Sequence, residues 1–393
     1  MTPAMDRVVV VGASVAGITA VETLRRRGFA GSISLVGQEL HLPYDRPPLS
    51  KQVLTGQWDA DRAIIRGRSD LEQLGLDLRL GVRANSLFLD SRQIELSDGE
   101  RLGFDGLILA TGVTPRQLPN GHELSGVHVL RTIEDALALR AQFVRGRRLV
   151  VVGAGFLGCE VAAAATQAGL HVSLVDPLPA PMMRQLGAEM GSLAATLHRD
   201  HGVEVLCHTG IDRLVGDNAV TGVELSTGTV LPADLVLVSI GAVPVTDWLV
   251  GSGLTLDDGI VCNDKCEAAP GVYAAGDVAR WWHNGLNAHV RVEHRTNATE
   301  QAIAAAENLL GSDRSFAPVP YFWTNQYDTR IQAYGTFPTG SRPTIVTGST
   351  EEGRFIAHYV SDDRITGVLS WNMPKQIHVE REVVGNRAQI PAV

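Results

Sequence analysis

The sequence is short of the features that mark several common protein classes. It has four cysteines in 393 residues, Cys159, Cys207, Cys262 and Cys266, with no CxxC pair and no Cys/His ligand spacing. That excludes a disulfide framework or a zinc module and fits reduced thiols in a cytoplasm. Long hydrophobic runs are also missing, since the most apolar stretch, Leu231 to Val250, is interrupted by Pro232, Asp234, Pro244 and Asp247. No segment matches the unbroken apolar span of a membrane helix. There is no basic excess either: 34 Lys and Arg stand against 43 Asp and Glu, a formal charge of -9. A general nucleic-acid binder would need the opposite balance to replace phosphate counterions. The one apolar run near the start, Val8 to Val21, has only Arg7 as a cation before it and continues into Glu22 and Arg25, Arg26 and Arg27. It is expected to be a strand, turn and helix rather than a secretory leader.

What the chain does have is ordinary globular composition, 45% hydrophobic and 20% charged residues, with 41 glycines. Its length predicts two or three domains. Two segments share one layout. Residues 7 to 11 (RVVVV) form a β-branched run of the kind found in buried parallel strands, followed by Gly12-Ala13-Ser14-Val15-Ala16-Gly17, a helix from about Ile18 to Arg27, and a strand from Ser32 to Val36. Residues 148 to 152 (RLVVV) repeat the plan with Gly153-Ala154-Gly155-Phe156-Leu157-Gly158, a helix to about Ala168, and a strand from His171 to Val175 that ends at Asp176. Each copy is a βαβ unit with a glycine-rich first turn. Three further apolar strands run into glycine turns: Leu107 to Ala110 into Thr111-Gly112, Leu235 to Ile240 into Gly241, and Val272 to Ala275 into Gly276-Asp277. After Asn308, alternating patterns at Arg330 to Tyr334, Pro343 to Thr347 and Arg354 to Val360 predict a smaller antiparallel domain.

GAGFLG carries the stronger chemistry. Glycines there permit a tight turn and bring backbone N–H groups close to a pyrophosphate at a helix N-terminus. Asp176, 18 residues beyond Gly158, is placed to accept hydrogen bonds from an adenosine ribose and to repel a 2′-phosphate. No arginine follows it, so NADH is expected over NADPH. GASVAG has Ser14 at the middle glycine, a small residue whose hydroxyl can itself bond phosphate, and Glu39, 22 residues after Gly17, is its candidate ribose partner. Two such fingerprints in one chain imply two dinucleotides held face to face, an arrangement suited to hydride transfer.

These residues, together with Pro43-Tyr44-Asp45-Arg46-Pro47-Pro48-Leu49-Ser50-Lys51, resemble the FAD-dependent ferredoxin reductases that serve bacterial Rieske-type dioxygenases and haem-thiolate monooxygenases. The resemblance continues through ATG (Ala110 to Gly112), GAVP (Gly241 to Pro244), YAAGDV (Tyr273 to Val278), EHRTNA (Glu293 to Ala298) and Tyr321-Phe322-Trp323-Thr324-Asn325-Gln326-Tyr327. It implies an α/β fold of two Rossmann-like, glutathione-reductase-like dinucleotide domains and a smaller α+β C-terminal domain. The implied bounds are 1–116 with 246–318 for FAD, 117–245 for NAD, and 319–393. It assigns FAD to Gly12, Ser14, Ala16, Gly17 and Glu39, with Arg46, Lys51, Ala110, Thr111, Gly112, Gly276, Asp277 and Trp323 toward the flavin side. NADH falls to Gly153, Gly155, Phe156, Leu157, Gly158 and Asp176, and Arg116 and Gly241 are further cofactor positions. Lys51 and Glu160 are implied to meet near the flavin N5, the lysine favouring the anionic reduced ring and the carboxylate holding it in place.

The implied activity is hydride transfer from NADH to FAD, then single-electron transfer to a [2Fe-2S] ferredoxin, by a cytoplasmic monomer or homodimer without membrane or nucleic-acid partners. Because ferredoxins are usually acidic, a local basic patch is expected from Arg291, Arg295, Arg330, Arg342 and Lys375. Two positions depart from the family pattern: Arg295 replaces an aromatic residue and Thr324-Asn325 replaces a Ser-Asp pair. Trp281 and Trp282 are expected to pack in the core or to line the docking face. Cys159, inside the second fingerprint's helix, is expected to be a packing residue. That argues against a rival that reduces disulfide or peroxide through a reactive thiol. An NADH oxidase, and a flavin-bound interaction protein resembling apoptosis-inducing factor, are the remaining alternatives.

Overall fold

The computed structural model describes residues 5–338, 340–361 and 363–385. It falls into two compact units. One comprises residues 1–45, 63–114 and 243–318, and the other residues 46–62, 115–242 and 319–393. The segment Arg46 to Arg62, which contains most of the PYDRPPLSK motif, therefore packs with the second unit. Among the described residues no helix is long and apolar enough to cross a membrane.

The first unit is built on a six-stranded sheet in the order Glu267–Ala269, Val272–Ala274, Gly106–Leu109, Arg7–Val11, Ser32–Gly37, Leu76–Leu80. Arg7–Val11 lies parallel to both Ser32–Gly37 and Gly106–Leu109. Val8, Val9, Val10 and Val11 are buried, and β-branched residues of this kind lose little rotamer freedom on a pleated, covered surface. The strand order reverses between Arg7–Val11 and Gly106–Leu109, the switch point at which open α/β sheets form a cleft beyond the carboxyl ends of their strands. Helix Val15–Arg26 packs against helix Arg295–Leu309, with Ala298, Ala302, Ala305 and Ala306 buried on the latter. The first helix begins three residues earlier than the sequence predicts, so Ala16 and Gly17 lie in its first turn. Ser14, the residue that starts it, is extended, as an N-cap must be.

The second unit repeats the plan in a five-stranded parallel sheet ordered Glu204–Leu206, His171–Val175, Arg148–Val152, Leu235–Val238, Val127–His128. Helix Phe156–Gln167 follows the central strand. The same unit holds a five-stranded antiparallel sheet, Tyr321–Gln326, Thr329–Gly335, Arg364–Trp371, Arg354–Ser361 and Arg342–Ser349 in spatial order, with helix Ile377–Gly385 closing the chain's described part. The expected alternating strands are all present, extended by one or two residues at their ends.

The first fingerprint turn is fixed by sterics. A Cβ on Gly12 would stand 2.1 Å from the Ala110 carbonyl oxygen, and one on Gly17 1.8 Å from the Gly12 carbonyl oxygen. These backbones touch because no side chain intervenes. Gly17→Ala is therefore expected to force the first helix off the sheet and to lower the unfolding free energy by about 2 kcal/mol or more. Chemical denaturation of the FAD-stripped protein checks this, and an unchanged midpoint would contradict it.

Candidate functional site

In the first unit, the turn Gly12–Gly17 joins the central strand to its helix. Gly12 has φ +116° and donates its N–H to the Val36 carbonyl at 2.8 Å. Ser14 makes no side-chain capping bond, so the amides of the first turn are not covered by its own hydroxyl. A helix N-terminus with open amides is the environment a pyrophosphate requires. Around the same cleft, Thr111 donates from its hydroxyl to the Val245 carbonyl at 2.9 Å and Gly112 has φ +69°. Gly276 has φ +76° and donates its N–H to Gln301 Oε1 at 2.9 Å. Asp277 is partly buried beside Gly276. Glu39 is not a solvated loop acid, because the Tyr44 hydroxyl donates to its carboxylate.

In the second unit, Gly153 (φ +101°) and Gly158 play the parts of Gly12 and Gly17, and a Cβ on Gly158 would lie 2.0 Å from the Gly153 carbonyl oxygen. A Cβ on Gly155 would meet nothing within 4 Å, so the space above this turn is open. Asp176 has a role the sequence did not disclose. Its Oδ2 accepts the Ala154 N–H at 2.7 Å and its Oδ1 the Leu178 N–H at 2.8 Å, so the carboxylate clamps the fingerprint turn to the end of the neighbouring strand. Phe156 packs on Phe322 with ring centroids 4.8 Å apart, while Leu157 is partly buried beside it. Gly241 (φ +99°) accepts the Arg116 N–H at 2.9 Å.

The same unit brings together Lys51 and Glu160. Pro47 to Ser50 form a short 3-10 turn that aims Lys51 inward. Its ammonium donates to Glu160 Oε2 at 2.6 Å, to the Pro47 carbonyl at 3.2 Å and to Ser50 Oγ at 3.3 Å. Glu160, in the second turn of helix Phe156–Gln167, is only 7% exposed. It accepts from the Ser50 hydroxyl at 2.6 Å through Oε2 and from the Thr324 hydroxyl at 2.7 Å through Oε1. A buried carboxylate is stable only when paired and hydrogen-bonded, and breaking such a pair costs about 3–5 kcal/mol. Arg46, which precedes the turn, donates to the Arg131 carbonyl at 2.6 Å. Trp323 lies one residue before Thr324 and stacks on Tyr321 at 5.9 Å.

The expected basic patch is corrected in part. Arg291 has a side chain only 12% exposed and pairs with Asp258 and Glu293, and Arg295 pairs with Asp45 at 3.1 Å. Their charges are spent within the first unit: Glu293 stands two residues from Arg291 in the chain, while Asp258 and Asp45 come from distant loops that the sequence order hides. Arg330, Arg342 and Lys375 are exposed on the second unit. Trp281 is a core residue that donates its ring N–H to the Phe316 carbonyl. All four cysteines are free. Burial raises the thiols of Cys159 and Cys262 well above their ordinary value and that of Cys266 to about 12, and Cys207 is raised as well. None has the low pKa of a reactive thiolate. Sequence reasoning missed Ser50 as a partner of Glu160, although it lies inside a quoted motif.

Family comparison follows the same lines. The pyridine nucleotide-disulphide oxidoreductase model matches residues 6–302, and a reductase C-terminal model matches residues 321–393. The chain belongs to the pyridine nucleotide-disulphide oxidoreductase family. It is 36% identical to rhodocoxin reductase of Rhodococcus erythropolis, over 96% of this chain and 89% of that protein. It is 37% identical to the ferredoxin–NAD(+) reductase component of an anthranilate 1,2-dioxygenase system of Burkholderia cepacia, over 96% and 94% of the two chains. The reductase in a covalent putidaredoxin reductase–putidaredoxin complex superposes with a TM-score of 0.94 at 34% identity, covering 98% of this chain and 94% of that one.

Two histidines, His198 buried and His294 half-buried, give the family member a pH signature. Burial lowers His198 and His294 from 6.5 to about 4. Between those values the unfolded chain binds protons that the folded chain does not, so stability is full above pH about 6.5 and falls as the pH drops toward 4. His198→Gln is expected to give a shallower decline between pH 7 and pH 5 than the unaltered chain in urea titrations. Identical slopes would contradict the assignment.

Proposed function

We propose that this chain is an NADH:ferredoxin oxidoreductase that passes electrons singly to a [2Fe-2S] ferredoxin feeding an oxygenase. The observation that carries the reading is the recurrence of an open, glycine-lined helix N-terminus in each of the two units, one for each dinucleotide. Bound FAD supplies the hydride acceptor and the conversion from two-electron to one-electron chemistry. The chain's part is to bind, orient and tune.

Ser14, Ala16 and Gly17 offer amides to the FAD pyrophosphate, Gly12 makes the tight turn that lets it approach, and Glu39, oriented by Tyr44, takes the adenosine ribose. Arg46, Ala110, Thr111, Gly112, Gly276, Asp277 and Trp323 complete the flavin's surroundings. Gly153, Gly155, Phe156, Leu157, Gly158, Arg116 and Gly241 hold NADH. Asp176 supports NADH over NADPH: its charge sits at the end of the second strand, and its clamp on Ala154 prevents it from swinging away from a 2′-phosphate. Lys51 presents a positive charge toward the flavin ring, and Glu160 keeps that charge in a fixed direction. The high thiol pKa values support electron transfer without a cysteine intermediate. The division into FAD, NAD and C-terminal domains at residues 116, 245 and 318 belongs to this reading, as does a cytoplasmic location, where four reduced thiols are stable.

Anaerobic stopped-flow tests it. NADH is expected to bleach the yellow flavin, and NADPH to do so at least about tenfold less efficiently, the effect of about 1.4 kcal/mol. The reduced protein then reduces two equivalents of a [2Fe-2S] ferredoxin. Failure of both nucleotides to bleach it would end the enzyme reading, and reoxidation by oxygen but by no ferredoxin would favour an oxidase.

A further inference from the structure

Beyond Glu160 the hydrogen bonds do not stop. Thr324 Oγ1 lies 3.3 Å from Gln326 Nε2, Gln326 Oε1 lies 3.0 Å from His198 Nε2, and His198 Nδ1 lies 2.9 Å from the Tyr327 hydroxyl. Thr324, Gln326 and His198 are all buried. Tyr327 stands at the turn between two strands, with φ +56°, and stacks on His201 at 3.6 Å. The chain of contacts joins helix Met183–Asp200, the C-terminal sheet and the second fingerprint's helix within one unit.

Its direction follows from chemistry. A carboxylate paired with Lys51 only accepts, so Thr324 must donate to Glu160. The threonine's single proton is then used, and its oxygen must accept from the Gln326 amide NH₂. That turns the Gln326 carbonyl toward His198, whose Nε2 must carry the proton. A neutral imidazole then has a bare Nδ1, which accepts from Tyr327. Gln326 also donates to Met182 Sδ at 3.4 Å, so both of its amide protons are used. Every donor in the series points toward Glu160. Aligned bonds of this kind polarise one another and stabilise negative charge at their end. The series is not a proton wire, because a neutral amide at Gln326 does not readily hand a proton on.

We propose that Thr324, Gln326 and His198 are positioning residues for flavin reduction, acting through Glu160 to fix the direction and strength of the Lys51 charge. The proposal rests on the reading that Lys51 and Glu160 serve the flavin. Removing the donors concentrates more of the carboxylate's charge on Lys51, drawing the ammonium back toward Glu160. The flavin then becomes harder to reduce.

The test uses FAD-loaded Thr324→Val, Gln326→Leu and Thr324→Ser, each also combined with Glu160→Gln. Thr324→Val is expected to slow flavin reduction at saturating NADH about tenfold, the loss of one charge-assisted hydrogen bond, and Gln326→Leu to slow it by a smaller factor, the loss of a neutral bond one step further out. KM should change little, and the flavin midpoint potential should fall. Thr324→Ser, which keeps the hydroxyl, should restore the rate. In the Glu160→Gln background neither substitution should slow reduction further. A readout independent of turnover is nitrogen NMR of histidine-labelled, FAD-free protein, where His198 should carry its proton on Nε2. Unchanged rates and potential in the single variants, slowing of equal size in the Glu160→Gln background, or a proton on His198 Nδ1 would overturn the proposal. A normal rate in Glu160→Gln alone would instead remove the reading beneath it, and the proposal with it.

Discussion

A carboxylate buried to 7% exposure can persist only if its surroundings replace the water it has lost. Glu160 meets that condition with one ammonium and two hydroxyls drawn from two distant parts of the chain: Lys51 and Ser50 from the motif after the first βαβ unit, and Thr324 from the C-terminal sheet. Satisfying this one group fixes the register of the 3-10 turn against the second fingerprint's helix and of that helix against the last sheet. The segment 46–62 accordingly packs with the second unit, although in sequence it follows directly from the first. Stability and function draw on the same contact, since the charge that Glu160 requires for its own burial is the charge proposed to face the flavin.

Much of the frame was legible because it depends on local rules. Runs such as RVVVV and RLVVV admit few structures other than buried parallel strands, and the observed pairings of Arg7–Val11 and Arg148–Val152 with their neighbours agree with them. Glycine turns were equally readable, since Gly12, Gly17, Gly153 and Gly158 stand where a Cβ would strike a carbonyl oxygen. The start of the first helix was misplaced by three residues. Ser14 is a favoured N-cap residue that the glycine fingerprint masked, and Gly155 at the matching position of the second turn offers no side chain to mark the boundary.

What escaped the sequence is long-range and polar. Besides the ribose role read from its spacing, Asp176 holds two backbone amides, an arrangement that depends on how its strand ends beside the glycine turn. Arg291 and Arg295 looked like docking cations until Asp258 and Asp45, from distant loops, were found against them. His198 was invisible for the same reason, because its partners Gln326 and Tyr327 lie more than a hundred residues away. Hydrophobic periodicity reports which face of an element is covered, and it is silent on which polar groups meet beneath that cover.

The central claim is that Lys51 and Glu160 act as one unit on the flavin, and a double-substitution cycle measures that unity directly. The rate of flavin bleaching by NADH in a single turnover would be compared among Lys51→Met, Glu160→Gln and the two combined. If the carboxylate works only by directing the ammonium, the combined variant reduces no more slowly than Lys51→Met alone. Independent losses that multiply in the double variant would contradict the account.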